Sequence, residues 1–245
     1  LRERGFLPGP VKNNLGILAL EVGRVDEALE HLEEALAIHR LEGNRSSEAL
    51  CIANIARALH MREEHDKAME ASDQALAMYR ELGDLRGEAT LLANRGAALV
   101  QAGDLEGSEI AHRQGLERAR SINLHTVVVS SLVGLARVLM ARHQLDEALA
   151  MAEEGRREAQ AIRYRRFEGL AILVQADIHL FREDYPTAIA LLDEQLRIHT
   201  EIGALDLAAE ARRLLARAWE GAGHSDRAAH HRREAEAVRK SRSAR

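Results

Sequence analysis

The sequence predicts an all-α protein, a solenoid built from six copies of one helical hairpin. Three observations carry this. Stacked at a 40-residue offset, the chain shows columns of small residues: Gly16, Ala56, Gly96, Ala136, Ala176, Ala216, and Ala28, Ala68, Ser108, Ala148, Ala188, Ala228. Around them apolar residues recur at intervals of three and four, the spacing of one helix face, and strand alternation is absent. Breakers fall at fixed places, Gly23, Gly103 and Gly223 within units and Gly43, Gly83, Asn123 and Gly203 at their ends, with Arg163 as the exception.

In the unit near 11–50, Leu15, Leu18 and Val22 share one face, and Gly23-Arg24 ends that helix. Ala28, Leu29, Leu32, Ala35 and Leu36 then form the apolar face of a long second helix. Glycine tolerates the left-handed backbone that stops a helix. Asp26 lies in the next first turn, where a carboxylate opposes the positive dipole end. Its column continues as Asp66, Glu106, Asp146, Pro186 and Asp226, and proline also suits a first helical position. The unit near 51–90 repeats the pattern with Ala56, Ala68, Ala75 and Leu76, and Asn44 and Asp84 stand as N-caps after the unit-ending glycines.

The unit near 91–130 carries Gly96, Gly103-Asp104, Ser108 and Leu116, but Arg95 occupies a column of packing leucines. Near 131–170, Arg156 replaces the leucine seen at Leu36, Leu76 and Leu116. Near 171–210, Gln175 repeats the Arg95 departure. Near 211–240, Arg232 and Glu236 stand where the first unit has Leu32 and Leu36, a polar last helix that acts as a solvating cap. Residues 1–10 read as the end of a preceding repeat and a linker, because Leu1–Gly5 aligns with Tyr79–Gly83; residues 241–245 read as a tail. The small columns have one cause: Gly16 and Ala28 face each other where paired helices cross, and small side chains permit close approach.

Composition excludes several function classes. The chain has 245 residues, 46% hydrophobic and 30% charged, enough apolar material for a sizeable core. A net charge of −5 gives no bulk attraction to nucleic acid or anionic membrane. No apolar run approaches the roughly 20 residues that span a bilayer, and LRERGFLPGP lacks the apolar core and cleavage site of a signal peptide. The single cysteine, Cys51, forms no internal disulfide and reads as a small packing residue in a reducing, cytoplasmic setting. His60 and His65 fall on different helix faces, and His230-His231 lack carboxylate or cysteine companions at ligand spacing. His179 sits in a column with Leu59, Leu99, Leu139 and Trp219 and reads as a packed histidine. No phosphate loop, nucleophile elbow, HExxH or dinucleotide turn occurs, so no catalytic residue, metal ligand or cofactor is predicted. The aligned Glu and Asp residues are assigned to solvent faces, paired with Arg along the helices. The basic stretch HHRREAEAVRKSRSAR reads as a helix terminus with cations at the negative dipole end. Without aromatic stacking positions, no nucleic-acid contact is expected.

Leu15-Gly16, Gly23, Ala28 and Ala35 resemble the tetratricopeptide repeat (TPR), over residues 11–240. The resemblance implies a right-handed superhelical solenoid of six helix-turn-helix hairpins whose first helices line a concave, protein- or peptide-binding groove. The chain departs from the family in having Ala19, Leu59 and Leu99 at aromatic positions, no proline after the second helix, and a repeat longer than the common form of about 34 residues. Phrases such as YRELGDLRGEATLLANRGAALVQAGD are similar to C-terminal TPR regions of bacterial SARP-type and large ATP-binding LuxR-type transcriptional regulators. That resemblance implies a sensing or partner-docking segment of a regulator and no enzyme. A self-associating scaffold is the alternative.

Asn14, Asn54 and Asn94 form one column on the first helices, and an Asn side chain can pair with both the N–H and C=O of an extended peptide. The other reading is local capping or solvent exposure, since the column continues as Gly134, Val174 and Leu214. One turn along stand Arg57, His60, Arg137, Asp177, Arg213 and Arg217, placed either to grip carboxylates of an acidic segment or to face solvent. Ile17, Leu20, Ala97, Val100, Val133 and Leu173 offer apolar pockets between these charges, or packing against the neighbouring repeat.

Overall fold

Every twentieth residue from 23 to 223 has a left-handed backbone, and this period lays out the fold. The structure, a computed structural model, describes residues 7–243. They form helices α1 (Gly9–Glu21), α2 (Val25–Leu41), α3 (Arg45–Met61), α4 (His65–Leu82), α5 (Leu85–Gln101), α6 (Leu105–Ser121), α7 (His125–Ala141), α8 (Leu145–Ala161), α9 (Arg165–Phe181), α10 (Tyr185–Glu201), α11 (Leu205–Gly221) and α12 (Ser225–Ser243). No strand occurs among the described residues, so the predicted fold class stands. The alignment of Leu1–Gly5 with an earlier repeat falls outside the described residues, as do the last two residues of the tail.

Most turns are built the same way. Gly23 N–H donates to Leu20 O at 3.1 Å and Arg24 N–H to Ala19 O at 2.8 Å, which satisfies carbonyls the helix end would leave open. The residue after the left-handed one already caps the next helix. Asn44, Asp84, Asp104 and Asp184 accept there from the backbone N–H three residues on. The second helix is clearly the longer one in the first hairpin, 17 residues in α2 against 13 in α1, whereas in the next α3 has 17 and α4 has 18. Glu63, His143 and Glu183 hold the left-handed position that Gly23 and Gly103 hold elsewhere, which hid the end of those first helices in the sequence. Arg163, read as an exception, is left-handed as well, at φ 56°.

The chain divides into two compact units, residues 1–123 and 124–245, of three hairpins each. In the first, α1 touches α3 and α3 touches α5, whereas α2, α4 and α6 do not touch one another among the described residues. In the second, α7, α9 and α11 are neighbours in the same way. The first helices therefore form the inner, closely spaced layer of each unit. Leu32 and Ala28 are fully buried in the first unit, and a Cβ on Gly16 would lie 2.6 Å from Leu32 Cγ and 3.1 Å from Ala28 O. The predicted crossing is there. In the second unit Leu135, Leu139, Ala148, Ala152 and Ile178 make the equivalent core.

One assignment fails. Glu48, Glu88 and Glu168 are buried rather than on a solvent face. Glu48 accepts from Arg40 Nε and Arg45 Nη1, Glu88 from Arg80 Nε at 2.9 Å, and Glu168 from Gln160 Nε2 and Arg165 Nη1. Each carboxylate ties the last turn of one hairpin to the first turn of the next. The neighbouring hairpin supplies the burial, so periodicity within the residue's own helix could not reveal it.

Candidate peptide-binding face

The inner layer of the first unit brings part of the predicted site together. Asn14 on α1 and Asn94 on α5 are exposed, and Asn54 on α3 is half-buried. Asn54 donates through Nδ2 to Asn13 Oδ1 at 3.0 Å, and the Cys51 thiol reaches the same oxygen at 3.6 Å. One of the three asparagines is thus already engaged within the protein. Burial pushes the Cys51 thiol up to about 11, in keeping with a packing role. Arg57, His60 and Asn94 line a cleft of about 240 Å³ between α3, α4 and α5. His60 Nε2 lies 2.9 Å from Gln101 Oε1, which joins α3 to α5, and its ring sits 5.2 Å from that of His65. Arg95, in the leucine column, pairs with Asp73 at the same cleft.

In the second unit Arg137, Asp177 and Arg217 stand in register on α7, α9 and α11. Burial holds the Asp177 carboxyl above the ordinary aspartate range; Arg217 and Arg137 pull it down and Glu210 adds to the rise. Arg213 is exposed one turn before Arg217. Of the apolar candidates, Leu20, Val133 and Leu173 are buried packing residues, whereas Ala97 lines the first-unit cleft. His179 is half-buried rather than packed like the leucines of its column, and its Nδ1 is satisfied 3.0 Å from Asp184 Oδ2. Among the described residues, no group of three or more His, Cys, Asp or Glu is placed to hold a metal ion. No described helix is long and apolar enough to cross a membrane.

Residues 10–81 and 129–154 match family models of the tetratricopeptide repeat. Over those stretches the chain carries TPRs. No curated protein matches it in sequence. Among solved structures it is similar to a Rap protein complexed with Competence and Sporulation Factor (TM-score 0.75, 13% identity, 96% of this chain and 77% of that one). It is similar to the quorum sensor NprR from B. thuringiensis (0.74, 16%, 97% and 67%). A third is the STAND protein with a tetratricopeptide repeat sensor, PH0952 from Pyrococcus horikoshii (0.72, 17%, 93% of this chain but 35% of that one). At these identities the likeness is one of fold, that of TPR-like helical solenoids.

Sequence reasoning missed two residues that adjoin the predicted ones. Asn13 stands in a column that continues Ala53, Ala93, Val133, Leu173 and Arg213, and a polar residue ahead of four apolar ones was a readable signal. Ser72 lines the cleft where the same column has Leu32 and Leu192, and a small polar residue at that place was the second signal.

Proposed function

We propose that the chain is a protein- or peptide-binding TPR module, the sensing or partner-docking part of a bacterial transcriptional regulator. The observation that carries the binding reading is the cleft on the inner layer of the first unit, where Arg57, His60 and Asn94 surround an apolar floor. The NprR and STAND likenesses support a regulatory setting, because their names speak of sensing, and the Rap protein supports binding, because its name gives it a bound factor. The partner is an extended segment, with acidic groups matched to the arginines of this layer. A peptide array tests the reading. Asn54→Ala with Asn94→Ala should lower binding across unrelated sequences, because an asparagine ladder grips backbone rather than side chains. Undiminished binding by that double variant overturns the ladder. The regulator setting is tested by the coding frame upstream of Leu1: a winged-helix or ATPase segment supports it, and a frame without either overturns it.

A second reading, self-association, is favoured by exposed apolar residues on α1 and at its two ends. Leu7, Val11, Leu18 and Val22 are exposed there by 41%, 41%, 57% and 68%, although the residues in register with Leu18 at Ala58, Val138 and Ile178 are fully buried. Light scattering at micromolar concentration decides it, since a stable monomer removes the scaffold reading.

A further inference from the structure

The first-unit cleft exists because its walls are small. Ala53 stands in register with Val133 and Leu173, Ala98 with Val138 and Ile178, and Ser72 with Leu32 and Leu192. Those larger side chains are buried and fill their own positions. About 240 Å³ stays open here, less than the ~300–1,000 Å³ of pockets for drug-sized ligands and suited to a single side chain. Met61 and Met69 flank the opening, and thioether side chains adapt to irregular shapes. No Asp or Glu lines it, although the chain carries net charge −5. Arg57 has no ionic partner among the described residues, whereas Arg95 is paired with Asp73. Ser72 is 5% exposed, and its Oγ has no hydrogen-bond partner.

We infer that this cleft is an anchor pocket for one apolar side chain of the partner, presented beside a carboxylate that pairs with Arg57, and that Ser72 sets its depth. The inference rests on the binding reading above and names what the bound segment must contain: a Leu-sized residue next to an acidic one. The apolar side chain supplies the affinity through area removed from water. The Arg57 contact lies at the rim, so it contributes orientation more than strength.

The test titrates the labelled protein with three blocked dipeptides, Ac-Asp-Leu-NH2, Ac-Asp-Ala-NH2 and Ac-Asn-Leu-NH2, following backbone amide shifts in α3, α4 and α5. Replacing leucine by alanine should weaken binding about tenfold or more, and replacing the acid by its amide a few-fold. Ser72→Leu, which inserts the side chain found at 32 and 192, should abolish the preference for leucine. Arg57→Gln, at a half-buried surface position, should abolish the preference for the acid while keeping that for leucine; it keeps the test decisive if Ser72→Leu disturbs the fold. Equal binding of the leucine and alanine peptides, or no shift in these helices, overturns the anchor pocket. If that result accompanies loss of array binding in the asparagine double variant, the binding reading survives without the pocket. Leucine-selective dipeptide binding with no array binding by the unaltered protein keeps the pocket and overturns the module.

Discussion

Glu63, His143, Arg163 and Glu183 hold a backbone that costs an L side chain roughly 1–2 kcal/mol, because Cβ crowds the carbonyl oxygen. Glycine removes that cost but loses about 0.5–1 kcal/mol more entropy on folding. The difference favours the substitution. Glu183→Gly or His143→Gly should therefore stabilise the protein by roughly 0.5–1 kcal/mol each, read as a higher urea midpoint with unchanged slope. The left-handed position was legible where glycine occupies it and illegible where Glu, His or Arg does, because nothing in those side chains marks it. The same limit applies to Asn54. Its column was readable, but its bond to Asn13 depends on packing between α1 and α3, which no single-helix pattern shows. Ser72 was hidden for a further reason: a cavity is an absence, and it shows only when the columns around it are compared.

At the scale of elements, hairpin crossings and hairpin junctions obey different physics. The crossing is steric. Ala28 and Ala148 are fully buried against the partner helix, so Ala28→Leu or Ala148→Leu should cost about 1–3 kcal/mol by overpacking. Ala161→Leu, exposed at the end of α8, serves as the control and should leave the melting temperature unchanged. Columns of small residues announced this, and every crossing could be placed from them. The junction is electrostatic. Glu88 is 3% exposed and is held by Arg80 and Arg118, whose side chains are about half exposed. Glu88→Ala frees two arginines that can rehydrate, so the loss should be about 1–2 kcal/mol, below the 3–5 of a pair left buried and broken. Thermal melts of the single variants check this. The three junction glutamates share one column of the 40-residue repeat, which holds Val128 and Ala208 in the other units. Their burial was illegible because exposed and buried glutamates look alike in sequence when a neighbouring hairpin provides the cover.

At the scale of the whole molecule, the response to pH runs through a buried histidine where three helices meet. His199 on α10 is fully buried beneath Gly169, where a Cβ would lie 2.3 Å from its Nε2. Its Nδ1 is 2.6 Å from Gln195 Nε2, and its Nε2 is 3.4 Å from the Arg166 carbonyl. Gln195 Nε2 also lies 3.4 Å from the Leu207 carbonyl, so the pair joins α9, α10 and α11. The neutral ring suits this arrangement, with Nδ1 accepting and Nε2 donating. Protonation would set a second N–H against the glutamine amide. Burial accordingly pushes the His199 pKa below the ordinary 6.5; the Arg166 carbonyl raises it, the Arg166 charge lowers it, and Glu210 raises it. A histidine with a lowered folded pKa contributes stability above its unfolded pKa, and that contribution is lost as pH falls from 6.5 towards the folded value. Asp177, in the same unit, carries the opposite sign. Its raised pKa makes stability fall as pH rises from the ordinary 3.8 through the folded value, whereas His231, lowered chiefly by burial, acts with the same sign as His199 in the interval just below 6.5. Urea midpoints taken at about pH 7.5 and about pH 5.5 should show the protein weaker at the lower pH. In His199→Gln, which is neutral throughout, that difference should shrink even though the variant is less stable at both. An equal pH difference in protein and variant would remove His199 as its origin.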